Sequence, residues 1–268
     1  MALAATQNHA EAVRRAKSNP FLAAVRIPLI VCNCLFFVWG FVLFKTVCRC
    51  MGLAKPNASI WVSVCSRVLC FLMGIKARVS GDLPPSGCLL TPNHTGYVDI
   101  CALASVAPCL FVPKREVASW PLIGLMVRSA EFPTVSRMRS KDLAVATQQI
   151  RERLETNQSV CVFLEGTSSG GEAPLPFFAP LLQPALESAA PVVPVGIRYS
   201  TTHPEIQISE DVAYWKDHTF GPHILRLLGL RGVEVEIGFG LPQKAMGCNR
   251  KEFAGVLHEQ VVELCKGA

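Results

Sequence analysis

Between Arg26 and Lys45 the chain runs through eighteen residues, Ile27 to Phe44, with no charge and a single polar side chain, Asn33. A helix of that length just reaches across the hydrocarbon core of a bilayer, so the run needs either a membrane or a large core around it. It does not read as a cleaved secretion signal, because the basic segment before it is long and no small-residue cleavage site follows. Arg14, Arg15, Lys17 and Arg26 precede the run and Lys45, Arg49 and Lys55 follow it, so flanking charge gives a simple span no clear orientation. A second apolar stretch, Ile60 to Ile75, carries Ser59, Ser63, Ser66 and Arg67 at helical spacing as a narrow polar stripe. Joined by a turn at Gly52 to Pro56, the two stretches read as a two-helix hairpin lying in, or dipping into, one leaflet. A pair of buried core helices is the soluble alternative.

Charge favours the membrane. Of the 268 residues 50% are apolar and 17% charged, with a mean hydropathy of +0.34. Residues 1–80 hold ten Lys and Arg against Glu11 alone; the remainder hold 16 against 19 acidic residues. A basic, apolar first third suits an anionic membrane surface. Nucleic-acid binding would require Lys and Arg clustered with polar and aromatic neighbours on a folded face, and no such cluster occurs. The twelve cysteines fall mostly inside apolar runs and include no Cys-x-x-Cys. They read as small buried hydrophobes in a reducing compartment, not as a disulfide framework or zinc site. The six histidines show no metal-binding spacing.

The texture changes near residue 78, which divides the chain into residues 1–77, basic with two membrane-associated helices, and residues 78–268. The second part alternates strand-like and helix-like patterns. Strands are expected at Cys88–Thr91, Leu110–Pro113, Val160–Leu164, Val192–Ile197 and Val233–Phe239. Helices are expected at Asp99–Ala107, Leu122–Arg128, Ser140–Thr156, Phe177–Ser188, His218–Leu228 and Arg250–Cys265. Such alternation predicts an α/β fold, a mainly parallel twisted sheet flanked by helices.

Ligands of such sheets sit at the carboxyl ends of the strands. The first such end reads Thr91-Pro92-Asn93-His94-Thr95-Gly96-Tyr97-Val98-Asp99. On one continuous helix His94 and Asp99 would face apart. With Pro92 stopping the strand and His94 in the turn before the helix, the carboxylate can reach the imidazole, giving a general base with an orienting partner. A later strand runs into Glu165-Gly166-Thr167-Ser168-Ser169-Gly170-Gly171, a polar, glycine-loosened loop able to bring N–H groups close to an anion or headgroup. Lys114 and Arg137, both near strand ends, are candidates for holding phosphate.

In this order the blocks resemble the glycerophospholipid acyltransferase family, which includes 1-acylglycerol-3-phosphate acyltransferases. The resemblance covers about residues 80 to 240. Asn93-His94 with Asp99 is similar to the family's Asn-His-x4-Asp signature, Phe163-Leu164-Glu165-Gly166-Thr167 to its Phe-Pro-Glu-Gly-Thr block, and Val192–Ile197 to its fourth block. The resemblance implies a glycerolipid acyltransferase-like fold at a membrane, with the active site on the cytoplasmic side. It implies acyl transfer, with no metal or other cofactor, from acyl-CoA or acyl carrier protein to the free hydroxyl of a lysolipid, 1-acylglycerol-3-phosphate giving phosphatidate. His94 would take the hydroxyl proton, Asp99 would hold His94, and Glu165, Gly166, Thr167 and Ser168 would line the acceptor site beside Lys114 and Arg137.

Two residues depart from the pattern. Leu164 replaces the usual proline, and Ser168 stands where many lysophosphatidate acyltransferases have a phosphate-binding arginine. The loop is closer to a bacterial branch with Glu-Gly-Thr-Thr-Ser, which is similar to both phosphatidate-making enzymes and acylators of lyso-ornithine lipid.

Two rival readings are a serine esterase or lipase and a catalytically silent lipid-binding protein. Gly166-Thr167-Ser168-Ser169-Gly170 matches the Gly-x-Ser-x-Gly elbow of hydrolases, with Asp211 or Asp217 and His223 or His258 to complete a triad. That elbow needs a helix starting at the serine, which Gly171, Pro174 and Pro176 oppose.

Overall fold

The computed structural model describes residues 18–136, 140–188, 190–245 and 247–267. Helix α1, Pro20–Cys50, begins where Asn19 accepts hydrogen bonds from the N–H groups of Phe21 and Leu22, with Pro20 in the first turn where no N–H is needed. Helix α2, Ala58–Met73, is capped by Asn57 and ends at Gly74, whose φ of 73° is the left-handed stop a side chain resists. The helices are locked together by polar contacts: Asn33 Nδ2 donates to Cys65 O, and Trp61 Nε1 donates to Phe37 O at 2.7 Å. The Trp61 ring packs among Phe37, Phe41 and Phe44.

One face of α1 is seated on the rest of the protein. Ala23, Cys34, Val38, Phe41 and Cys48 are buried there. Arg26 donates to the carbonyls of Leu228 and Leu230, and Lys45 pairs with Glu131. Lys55 and Arg153 meet the same Glu131 carboxylate, and those partners outweigh its partial burial to lower its pKa to about 2. The opposite face of α1 exposes Phe21, Val25, Leu29, Phe36, Trp39 and Leu43, and α2 exposes Ile60, Val64, Val68 and Phe71. A core helix would be mostly covered; only 22% of the most apolar window of α1 is buried, and the helix is long and apolar enough to cross a membrane.

The sheet has seven strands: β1 Ile75–Ser80, β2 Leu89–Pro92, β3 Leu110–Phe111, β4 Val160–Cys161, β5 Pro191–Thr201, β6 Val233–Phe239 and β7 Gln243–Lys244. Their order is β1-β6-β5-β2-β4-β3, with β7 beside β5. The pairings of β1 with β6, and of β5, β2, β4 and β3 in turn, are parallel; β5 runs antiparallel to β6 and β7. The sheet is therefore mixed, two parallel groups joined at an antiparallel seam. The remaining helices are α3 Tyr97–Val106, α4 Ile123–Ser129, α5 Ser140–Glu155, α6 Gln183–Ser188, α7 Phe220–Leu228 and α8 Arg250–Lys266. They divide the core in two. One cluster joins α1, α2, α3 and α7 to one sheet face, and the other joins α5, α6 and α8 to the opposite face. Strand β5 shows the period-two division: Val193, Val195, Ile197 and Tyr199 enter the first cluster, Val192 the second.

Several boundaries differ from the sequence reading. Strand β1 follows Gly74 directly and runs across residues 77 and 78, where the sequence changes texture. The strand expected over Val160–Leu164 leaves the ladder after Cys161, although Val162 N–H still donates to Leu90 O. The helix expected over Phe177–Ser188 starts as a 3₁₀ turn, Ala179–Leu182, where Pro180 withholds a donor, and becomes α6 only at Gln183.

Candidate active site

Three loops leave the same edge of the parallel strands. Leu90 of β2 pairs with Cys161 of β4, which pairs with Phe111 of β3. His94 and Glu165 each lie four residues past their paired position and Lys114 lies three past Phe111, so all three emerge at the carboxyl edge. Beyond Pro92, Asn93 fixes the turn: its Nδ2 donates to Ile197 O at 2.9 Å and its Oδ1 accepts from Ile197 N–H at 2.7 Å. The amide thus replaces one more rung between β2 and β5.

That turn delivers His94 to Asp99 in the first turn of α3. His94 Nδ1 lies 2.8 Å from Asp99 Oδ2, and Asp99 is fully buried. The carboxylate accepts four further hydrogen bonds: from Thr95 N–H (2.6 Å), Gly96 N–H (3.0 Å), Thr95 Oγ1 (2.7 Å) and the Tyr199 hydroxyl (2.8 Å). Burial alone would raise the Asp99 pKa. The hydrogen bonds and charge of His94, with Thr95 and Gly96, outweigh burial and hold it below the usual carboxylate value. An ionised Asp99 makes Nδ1 the protonated nitrogen and leaves Nε2 as a base. Nε2 has no partner among the described residues, and the side chain is 20% exposed.

The Glu-Gly-Thr-Ser-Ser loop grips His94 by its backbone. Glu165 Oε1 accepts from His94 N–H at 3.0 Å, and Ser169 N–H donates to His94 O at 2.8 Å. Phe163 stacks on the imidazole, 3.8 Å between centroids. Burial pushes the Glu165 carboxyl up to about 8 and nearby Asp99 adds to the push, against backbone N–H bonds from His94 and Leu175. Glu165 is therefore largely neutral at pH 7, its Oε2 buried without a hydrogen-bond partner among the described residues. Gly96 has no room for a Cβ, which would meet Tyr214 N at 2.8 Å, and a Cβ on Gly170 would meet the Trp215 ring at 2.6 Å. The segment through Tyr214 and Trp215 therefore straps both loops, aided by the bond from Tyr214 N–H to Thr95 O.

The sequence matches the acyltransferase family over residues 75–198. It is 32% identical to the lyso-ornithine lipid O-acyltransferase of Rhizobium meliloti, over 88% of this chain and 85% of that one. The chain belongs to the acyltransferase family. It is also 31% identical to the 1-acyl-sn-glycerol-3-phosphate acyltransferase of Neisseria meningitidis, over 62% of this chain and 66% of that protein. The solved 1-acyl-sn-glycerophosphate acyltransferase of Thermotoga maritima shares the fold, with a TM-score of 0.61 at 19% identity, covering 92% of this chain and 98% of that one.

In this acyltransferase the other candidate residues that the structure describes are spread around the same edge. Gly166 turns the loop with φ 73°, and Thr167 is exposed at its tip. Lys114 is exposed, its side chain without a partner among the described residues, and its backbone lies alongside Val135 through a parallel bridge. Arg137 follows two residues later and lies outside the described residues. The hydrolase geometry is not formed. No helix starts at Ser168; its hydroxyl donates to Tyr214 O. His223 is engaged by Tyr97 and Ala213 O, while His258 contacts Pro174 O. Ser168→Ala is accordingly expected to keep acyl transfer within about fivefold of wild type, since it removes one hydrogen bond, and the wild type should not react with a fluorophosphonate probe. Loss of all transfer in that variant, or covalent labelling of Ser168, would restore the hydrolase reading.

Sequence reasoning passed over Asn93 as a positioning group, Phe163 as the ring under His94, and Tyr199. Tyr199 carried no signal apart from strand alternation. Asn93 had one, a polar residue directly after a strand-ending proline.

Proposed function

We propose that this acyltransferase moves a fatty acyl group from a thioester, acyl-CoA or acyl carrier protein, to the free hydroxyl of a lysolipid, with 1-acylglycerol-3-phosphate the preferred acceptor. The observation that carries the reading is the His94–Asp99 pair, with Nδ1 committed to the carboxylate and Nε2 left without a partner among the described residues on a partly exposed side chain. Nε2 removes the acceptor proton as the hydroxyl oxygen attacks the thioester carbonyl. The tetrahedral adduct then expels the thiolate, which takes that proton back from the imidazolium. One C–O bond forms, one C–S bond breaks, and the enzyme returns unchanged, so the step asks for no metal and no covalent intermediate. The N–H groups of Thr167 and Ser168 make no hydrogen bond among the described residues and are suited to an anionic group.

The acceptor assignment rests on Lys114 at this edge and on Arg137 by its place in the sequence, since Ser168 cannot make the bidentate contact an arginine makes with phosphate. Lys114 and Arg137 are the proposed phosphate ligands, and the lyso-ornithine name of the Rhizobium relative supports the alternative. A panel of lysolipids offered with one labelled acyl-CoA and read by mass spectrometry decides. Lysophosphatidate should be the best acceptor, and Arg137→Ala should raise its KM strongly while leaving that of the donor nearly unchanged. Preference for a phosphate-free acceptor, with Arg137 dispensable, would overturn the assignment.

Residues 1–77 are proposed to seat the catalytic residues 78–268 on the cytoplasmic face of the membrane. The exposed apolar stripes of α1 and α2 enter the lipid, and the exposed Arg49 in the last turn of α1 meets anionic headgroups. Because α1 is held to the protein near both ends, through Arg26 and Lys45, the proposed arrangement lies along the leaflet instead of standing clear of the domain. Carbonate washing should leave the protein with the membrane; release by salt alone would show that charge, not the apolar face, held it.

A further inference from the structure

Strand β5 reaches the catalytic pair twice. Its Ile197 is bonded in both directions by Asn93, which places the turn carrying His94. Two residues on, and so on the same face, Tyr199 extends its hydroxyl to Asp99 Oδ1 at 2.8 Å. Tyr199 is almost fully covered, and Asp99 has no exposed surface. The remaining acceptor sites of Asp99 are filled from its own turn: Oδ2 by His94, Thr95 and Gly96, Oδ1 by the Thr95 hydroxyl. Among the described residues only Tyr199 brings a bond from the sheet, from a residue 100 positions away in sequence. Without it the carboxylate is held solely by the turn that it is meant to orient.

We propose that Tyr199 is a positioning residue of the acyl-transfer reaction, anchoring Asp99 to β5 so that the carboxylate holds His94 in place. The inference rests on the His94–Asp99 reading. A hydroxyl donating to Oδ1 withdraws electron density from the carboxylate and makes it a weaker acceptor for the imidazolium. Removing that donor makes Asp99 more basic, strengthens its attraction for protonated His94, and so raises the pH at which His94 loses its proton. The groups facing this pair are His94 and Glu165 from the edge loops, Cys101 of α3, Cys70 of α2, Cys161 of β4 and Cys265 of α8. Burial raises all four thiols, and Glu165 is largely neutral at pH 7, so His94 and Asp99 carry the local charge balance.

The test is Tyr199→Phe, which keeps the ring and its packing and deletes only the donor, assayed in the full-length protein beside Asp99→Asn. The acid limb of the kcat/KM profile should move to higher pH by roughly half to one unit, with plateau kcat down about tenfold. The KM of both substrates should stay within about twofold of wild type. A merely structural role would lower thermal stability without moving the acid limb. Tyr199→Phe with wild-type kcat and acid limb, while Asp99→Asn is inactive, would overturn the role of Tyr199 alone. If Asp99→Asn itself retains full turnover, the reading of the dyad fails and this inference with it. Tyr199→His, a donor of different reach, should fall below Tyr199→Phe if position matters; equal activity of the two would also count against it.

Discussion

Replacing His94 by alanine is expected to lower acyl transfer about 10²–10⁴-fold, the usual cost of losing a positioned general base. The protein should remain folded, because the imidazole packs against one ring, Phe163, and keeps part of its surface exposed. The backbone bonds that His94 makes to Glu165 and Ser169 survive the substitution. Asp99→Asn should cost nearly as much for a different reason. An amide can donate as well as accept, but three backbone and hydroxyl donors besides Tyr199 already point at those atoms, so its NH₂ would face N–H and O–H groups. Some loss of stability is therefore expected with Asp99→Asn and not with His94→Ala. Near-wild-type turnover of purified His94→Ala with acyl-CoA would refute the mechanism.

Deleting α1 and the linker, residues 1–57, is expected to give an aggregating domain, not a soluble one. The helix covers part of a core that includes Cys65, Leu69, Leu227 and Leu228. Its own buried residues, Phe41 and Val38 among them, contribute about 1.5–3 kcal/mol each when fully covered. Removal also takes two of the three cations from Glu131 and the guanidinium of Arg26 from two α7-end carbonyls. Size-exclusion chromatography without detergent measures this. A monodisperse, active fragment would show that the domain does not need the helix as cover for its core.

Much of the site was legible because its logic is local. Pro92 ends a strand, the helix cannot begin before Gly96, and the intervening turn lets His94 reach Asp99 although a continuous helix would separate them. The Glu165–Gly171 loop was likewise visible as glycine and hydroxyl residues after an apolar strand. Long-range partners were not legible. The period of two that buries Ile197 also buries Tyr199, and only the packing of β5 under α3 distinguishes a core residue from an Asp99 donor. The role of Glu165 changed in the same way: a loop carboxylate read as lining the acceptor site turns inward onto the backbone of His94. Strand β1 was hidden because Gly74 switches helix to strand without an intervening loop, so Ile75 read as the end of the helix.

The seating of α1 has a consequence for how the chain is made. Its carbonyl partners for Arg26, Leu228 and Leu230, lie 202 and 204 residues further on, and Glu131 lies 86 residues beyond Lys45. At 5–20 residues per second, about 10–40 s separate the synthesis of Arg26 from that of its acceptors. Throughout that interval the face of α1 destined for the protein interior lacks its α7 cover at the amino-terminal end. Under the proposed membrane seating, a nascent chain with such a helix gains from delivering it to lipid early, so that the later strands and α7 assemble against a helix already held at a surface. The final docking of α7 onto α1 then closes the structure from its carboxyl-terminal half back to its beginning.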